Sequence, residues 1–208
     1  MCSISGSFNY TKLAELIESN RYRGQFSHSI FVFDRNSSKI IYHYKDKGPI
    51  DLTKHCLPDG YCVVHQQAPT SQSTDNIHPA VFDSNFLWHN GIITNSEIQK
   101  MQKKYETDET WDTKLLLYAL IEKDTLSDII GSFACVWYNG KINIFRNMIS
   151  PLFLDNDLTI SSTKFKHSRL LEPGKIFQLD LNLKRMSLQT NFETHANNPY
   201  FLGVYNEA

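Results

Sequence analysis

The chain has 208 residues, 41% of them hydrophobic, 12% aromatic and 21% charged, a balance that excludes disordered and fibrous classes and suffices for one sizeable core. Its 21 Lys and Arg against 22 Asp and Glu leave a net charge of -1, and without a basic block nucleic acid is excluded as an electrostatic partner. No apolar run nears the ~20 residues of a membrane helix and no signal-peptide pattern opens the chain, so a soluble, cytoplasmic protein with no membrane partner is expected.

Taken in order, Ser3 to Phe8 is short and β-compatible, and Lys12 to Asn20 carries Leu13, Leu16 and Ile17 at helical spacing. Ser29 to Asp34 and Lys39 to Lys45 flank Arg35-Asn36-Ser37-Ser38, which predicts a strand, turn and strand, and Tyr61 to His65 is another short strand. Gln66 to Pro79 is polar, contains two prolines and shows no periodicity, so it reads as a long loop of the kind that is often functional.

Phe86 to His89 reads as a strand. Thr94 and Glu97 then form a T-x-x-E capping box that predicts a helix to about Tyr105, and a second helix is predicted over Trp111 to Lys123. Ser132 to Tyr138 and Lys141 to Arg146 flank the turn Asn139-Gly140, and Leu152 to Leu154, Leu158 to Ser162, Ile176 to Leu181 and Arg185 to Gln189 follow as strands. Strands, then helices, then strands without regular βαβ alternation argue against a Rossmann-type sheet. They argue for antiparallel sheets with helices grouped on outer faces, in a single domain spanning 1–208.

Four cysteines, Cys2, Cys56, Cys62 and Cys135, lack zinc-site spacing and are too sparse for a disulfide scaffold. Cys2 stands apart. Removal of the initiator methionine leaves a cysteine with a free α-amine, which titrates near pH ~8 and can serve as base for the thiol on the same residue; the alternative is an incidental thiol. Asn90-Gly91 offers a side-chain amide beside a backbone N–H, two donors for an oxyanion, or alternatively a hairpin turn. Unlike Asn139-Gly140, it has no obvious return strand, because Ile92-Ile93 lead into the helix. Asp112 sits in a first helical turn, as a cap or a ligand, and Arg23-Gly24 after the first helix reads as a helix stop. His65, His78 and His89 show no metal-binding spacing, so neither a metal nor a cofactor is expected.

The order of these elements carries a resemblance. CSISG at Cys2 to Gly6, YRGQFS at Tyr22 to Ser27, VHQQAPTSQSTDNIHP at Val64 to Pro79 and HNGIITN at His89 to Asn95 are similar to successive motifs of the class II, N-terminal-nucleophile (Ntn) glutamine amidotransferases. Asp112-Thr113, GSFACVWY at Gly131 to Tyr138, RNMISPL at Arg146 to Leu152, Ser161-Ser162 and Glu172-Pro173-Gly174 continue it to about Asp180. It is closest to the glutaminase domain of hexosamine-forming amidotransferases, without the synthase half.

The resemblance implies an α+β fold, a four-layer αββα sandwich of two antiparallel sheets. It also implies hydrolysis of the glutamine amide with transfer of ammonia to a separate synthase subunit. Residue by residue, Cys2 corresponds to the nucleophile, Asn90 and Gly91 to the oxyanion hole, and Asp112 to the holder of the substrate α-ammonium. Arg23 and Gly24 lie where the family positions the N-terminus, and His65 falls in the substrate-binding loop motif. One departure is clear: the arginine that clamps the α-carboxylate is replaced by Gln67. A neutral amide in place of a bidentate guanidinium costs on the order of 1.5 to 3 kcal/mol, roughly 10- to 100-fold in affinity. The alternatives this leaves are an Ntn-type cysteine hydrolase of a different amide, or a non-catalytic binding module on the same fold.

Overall fold

The computed structural model describes residues 2–68, 76–123 and 126–194. The middle of the loop read over Gln66 to Pro79 and the end of the chain past residue 194 lie outside the described residues. The first sheet is built from β1 (Ser3–Ser7), β2 (Ser27–Phe33), β3 (Ile40–Lys47), β4 (Tyr61–Gln67), β9 (Phe153–Leu154), β10 (Ile160–Ser161) and β11 (Arg169–Leu170), in the order β11-β9-β10-β1-β4-β2-β3. The second holds β5 (Ala80–Phe82), β6 (Asn85–Ile93), β7 (Gly131–Tyr138), β8 (Ile142–Arg146), β12 (Lys175–Asp180) and β13 (Arg185–Asn191), in the order β13-β12-β8-β7-β6-β5. Every pairing is antiparallel.

Side-chain alternation explains the layering. On β2, Phe31 and Phe33 point between the sheets and meet Val63 of β4, Trp88 of β6 and Val136 of β7. Their neighbours Ile30 and Val32, with Cys62 and Val64, face outward onto Leu13 and Ile17 of helix α1 (Tyr10–Ser19). Helices α2 (Asn95–Lys104) and α3 (Asp112–Ile121) cover the outer face of the second sheet through Met101, Leu115, Leu116 and Ala119, against Leu87, Phe133 and Cys135. The result is helix, sheet, sheet, helix. Strands buried on both faces carry apolar residues on both, which is why Ile30 to Phe33 of β2, Tyr61 to Val64 of β4 and Phe133 to Val136 of β7 read as continuous runs rather than as alternating patterns. No helix among the described residues is long and apolar enough to cross a membrane.

One local expectation turned out differently, and one open alternative is closed. The box at Thr94 and Glu97 does not close: the Thr94 hydroxyl donates to the Ile130 carbonyl at 3.3 Å and Glu97 pairs with Lys100 at 3.1 Å. Thr94 also hands its backbone N–H to Ile130 at 3.2 Å, so the strand end remains tied to the approach to β7 while the helix begins. Asn90-Gly91 lies inside β6, opposite Ala134 and Phe133 of β7, and is not a turn.

Candidate active site

Cys2 enters the structure just before β1, which runs in the middle of the first sheet between β10 and β4. It is 7% exposed. The odd residues of β1 face α1 with hydroxyls: Ser3 donates to Gln66 Oε1 at 3.2 Å, and Gln66 Nε2 donates to the Ile17 carbonyl at 3.2 Å. Asn20 Nδ2 reaches the Leu16 carbonyl and Ser161 Oγ at 2.9 and 3.0 Å. These bonds fix the end of α1, and the single 3-10 turn that follows, Arg21–Arg23, brings Arg23 Nε to the Cys2 carbonyl at 3.0 Å. Gly24 is needed there because a Cβ would stand 2.6 Å from the Gln67 carbonyl carbon.

Burial pushes the Cys2 thiol above its ordinary range. A backbone hydrogen bond from Ala68 opposes that rise, the Asp112 carboxylate adds to it, and the Arg23 guanidinium opposes it. A neutral, buried thiol in reach of a carboxylate and a guanidinium needs a base to become a nucleophile.

Asn90 comes from the other sheet. Its Nδ2 donates to Ser162 Oγ at 3.2 Å, and the same oxygen accepts the Ile4 N–H at 2.9 Å. Ser162 thus ties the strand that carries Cys2 to the strand that carries Asn90. An amide nitrogen has two protons, and only one of those on Asn90 is used in the bond to Ser162. Gly91 next to it has no room for a side chain: a Cβ would lie 1.8 Å from the Ser132 carbonyl oxygen, which instead accepts from His89 Nε2 at 3.1 Å.

Asp112 opens α3. Its Oδ1 accepts the Thr113 N–H at 2.7 Å and its Oδ2 the Ile93 N–H at 3.2 Å, while its side chain stays 23% exposed. A carboxylate at a helix N-terminus is stabilised as an anion. Its charge is felt at the Cys2 thiol.

Gln67 and His65 sit in a buried network behind these groups. Gln67 is 3% exposed. Its Oε1 accepts from Ser27 Oγ and His78 Nδ1, each at 3.1 Å, and its Nε2 donates to the Asn76 carbonyl at 2.8 Å. Reversing the amide would put donor against donor and acceptor against acceptor, so its orientation is settled by the network. His65 donates from Nε2 to the His89 carbonyl at 3.1 Å and stacks on His78 at 4.0 Å between ring centres. Trp111 meets His78 edge-on at 5.1 Å. Thr113 Oγ1 faces both His78 Nε2 at 3.0 Å and His89 Nδ1 at 3.2 Å; with the N–H of each ring given to Gln67 and Ser132, both of these nitrogens accept, and the one hydroxyl proton serves one ring at a time. Among the described residues, no group of His, Cys, Asp or Glu is arranged to hold a metal ion.

Burial holds His65 down at about 3 and His78 well below the ordinary histidine range. A depressed histidine stabilises the fold fully above its unfolded value near ~6.5 and loses that contribution as pH falls toward the folded value. Each of the two should remove up to about 1.4 kcal/mol per pH unit below pH ~6.5. Urea midpoints measured at pH 7, 6 and 5 should therefore fall steadily. A flat profile would show that these rings take up protons in the folded protein as readily as in the unfolded chain.

Sequence reading located Cys2, Arg23, Gly24, Asn90, Gly91 and Asp112, and the structure brings them to one place. It overlooked the bridging role of Ser162, the Ala68 N–H and the part of Thr113. Only the phase of Ser162 on an apolar segment hinted at a buried hydroxyl.

No protein-family model matches the chain. Its sequence is 29% identical over 203 residues to the 7-cyano-7-deazaguanine synthase of Saccharolobus solfataricus, a match covering 79% of this chain and 42% of that protein. Among solved structures, glutamine phosphoribosylpyrophosphate amidotransferase from B. subtilis superposes with a TM-score of 0.68 at 16% identity, over 100% of this chain and 53% of that one. The fold is that of the Ntn glutamine amidotransferases. A second structure, described as the allosteric regulatory enzyme of purine biosynthesis, gives a TM-score of 0.67 at 16% identity over the same shares. The chain spans about half the length of the proteins it matches.

Proposed function

We propose that the chain is a class II glutamine amidotransferase domain that hydrolyses a carboxamide through Cys2 and supplies ammonia to a separate synthase. The observation that carries this reading is the convergence on Cys2 of Arg23, Asn90 and Asp112 from three other elements, with Ser162 joining Asn90 to the nucleophile strand.

Once Met1 is removed, the α-amine of Cys2 takes the thiol proton, and the sulfur adds to the carboxamide carbon. The oxyanion is met by the second Nδ2 proton of Asn90 and by the Gly91 N–H. The C–N bond breaks as the nitrogen takes up the proton and leaves as ammonia. Water then cleaves the thioester, which regenerates the thiol and releases the acid. Asp112 holds the ammonium end of the substrate, and Arg23 and Gly24 keep the Cys2 backbone in place.

Similarity to a longer protein named as a synthase supports a synthase as the acceptor of ammonia. A cytoplasmic location agrees with that partner and with reduced thiols.

The test combines intact mass with glutamate release on one sample. The expected result is a chain lacking Met1 that forms glutamate and ammonia in equal amounts from glutamine. A chain that keeps Met1 and forms no glutamate would overturn the reading.

A further inference from the structure

The two sheets stay apart on the flank where β3 and β5 are their last strands. Between those edges lies an open slot of about 770 Å³, walled by Phe31, Ile40, His43 and Lys45 from the first sheet and by Val81 and Phe86 from the second. Its floor is Phe31, 2% exposed, which meets Phe86 edge-on at 6.0 Å and His43 at 5.7 Å between ring centres.

Alternation along β3 sorts the charges. Tyr42 and Tyr44 pack into the outer layer with α1, and Asp46 shares their face, where its carboxylate accepts from the Tyr44 hydroxyl at 2.8 Å. His43 and Lys45 fall on the other face. The lining of the slot therefore holds two basic side chains and no carboxylate.

Lys45 donates to the Ile77 and Pro79 carbonyls at 2.9 Å each, and among the described residues its ammonium meets no carboxylate. The residue as a whole is exposed, yet enough protein surrounds its charged end to draw the pKa down to about 8. An ammonium carries three protons, and those two carbonyls take two of them. A carboxylate arriving at the third supplies the negative charge that carbonyl dipoles only partly replace.

We propose that this slot binds a small carboxylate with an aromatic or branched aliphatic body. The body lies on Phe31 and Phe86, and the carboxylate accepts from Lys45. A volume of this size suits a small molecule. A neutral apolar ligand would leave the ammonium without a counter-charge, and an amine would meet Lys45 and His43 as a like charge. Binding here needs no chemistry at Cys2, so it stands or falls apart from the amidohydrolase reading.

The experiment is calorimetric titration of the full chain at pH 7 with 4-phenylbutanoate, with octanoate, and with 4-phenylbutanamide, which has the shape of the first acid and no charge. The expected result is saturable binding of 4-phenylbutanoate with a Kd of about 1 mM or tighter, and binding of the amide weaker by about 10-fold or more. Lys45→Met keeps the aliphatic stem and removes the charge, so it should bring the acid down to the level of the amide. Val81→Glu, at an exposed position of β5, should weaken both acids by about 10-fold through a like charge beside the slot. Thermal melts establish that both variants are folded.

Equal affinity for acid and amide, or an acid that binds folded Lys45→Met as tightly as the unaltered chain, would overturn the proposal. Failure of both acids to saturate by about 10 mM overturns it as well. So does a slot covered by a second copy of the chain, seen as a dimer in size-exclusion chromatography that excludes the acids and that Val81→Glu takes apart.

Discussion

Cys2→Ala is expected to lower amide hydrolysis on the order of 10³-fold or more and to leave the fold in place. The side chain is buried beside Ala68, Asp112 and Arg23, yet replacing it deletes a single sulfur atom, about 1 kcal/mol in a buried position. Stability and activity therefore separate in this variant, as they do for a nucleophile and do not for a core residue. Cys62 supplies the control. It is buried under α1 among Leu13, Ile17, Ile30 and Val64, and burial pushes its thiol up as well; Cys62→Ala should alter the melting temperature and keep turnover. Ammonia release and thermal melts on both variants decide the matter. A Cys2→Ala protein that retains a tenth of the activity would place the chemistry elsewhere.

Gly91→Ala is expected to destabilise the protein by about 3 kcal/mol and to remove activity with it. The added methyl would stand 1.8 Å from the Ser132 oxygen and 2.6 Å from His89 Nε2, so β6 and β7 must part or His89 must swing out. The bond from His89 to Ser132, worth about 1 kcal/mol, goes too. For a chain of this length each kcal/mol corresponds to about 2–4 °C, so the melting temperature should fall by roughly 10 °C. Gly140→Ala is the comparison: that glycine has φ +92° with nothing within 4 Å, so the variant suffers only left-handed strain of about 1–2 kcal/mol and no loss of turnover. Equal melting shifts for the two would show that the close approach at Gly91 is not what requires glycine.

Much of the site was legible in the chain because its parts are carried by short local patterns. A cysteine ahead of a strand, an Asn-Gly pair with no return strand, and an aspartate in a first helical turn can each be recognised within ten residues. The order of the strands and helices separated the fold from parallel α/β architectures, since antiparallel hairpins need no crossover helix. Thr94 shows where such reasoning ends. Its spacing to Glu97 satisfies a capping box, but Ile130, thirty-six residues away, offers its hydroxyl a carbonyl that no local pattern announces.

The sequence by itself determined the strands and helices and which residues carry reactive groups, because periodicity and side-chain chemistry are properties of neighbours along the chain. Only the tertiary structure decided what those groups face. Gln67 reads as a weakened stand-in for a cation, but pairing of β4 with β2 sets it opposite Ser27, and the return of the chain sets it against His78, where its amide is a structural acceptor. Ser162 reads as one hydroxyl among several, but the stacking of the two sheets makes it the bridge between Ile4 and Asn90. Hydrogen-bond partners separated by forty to one hundred and sixty residues depend on strand register and sheet packing, which are settled by the whole core at once.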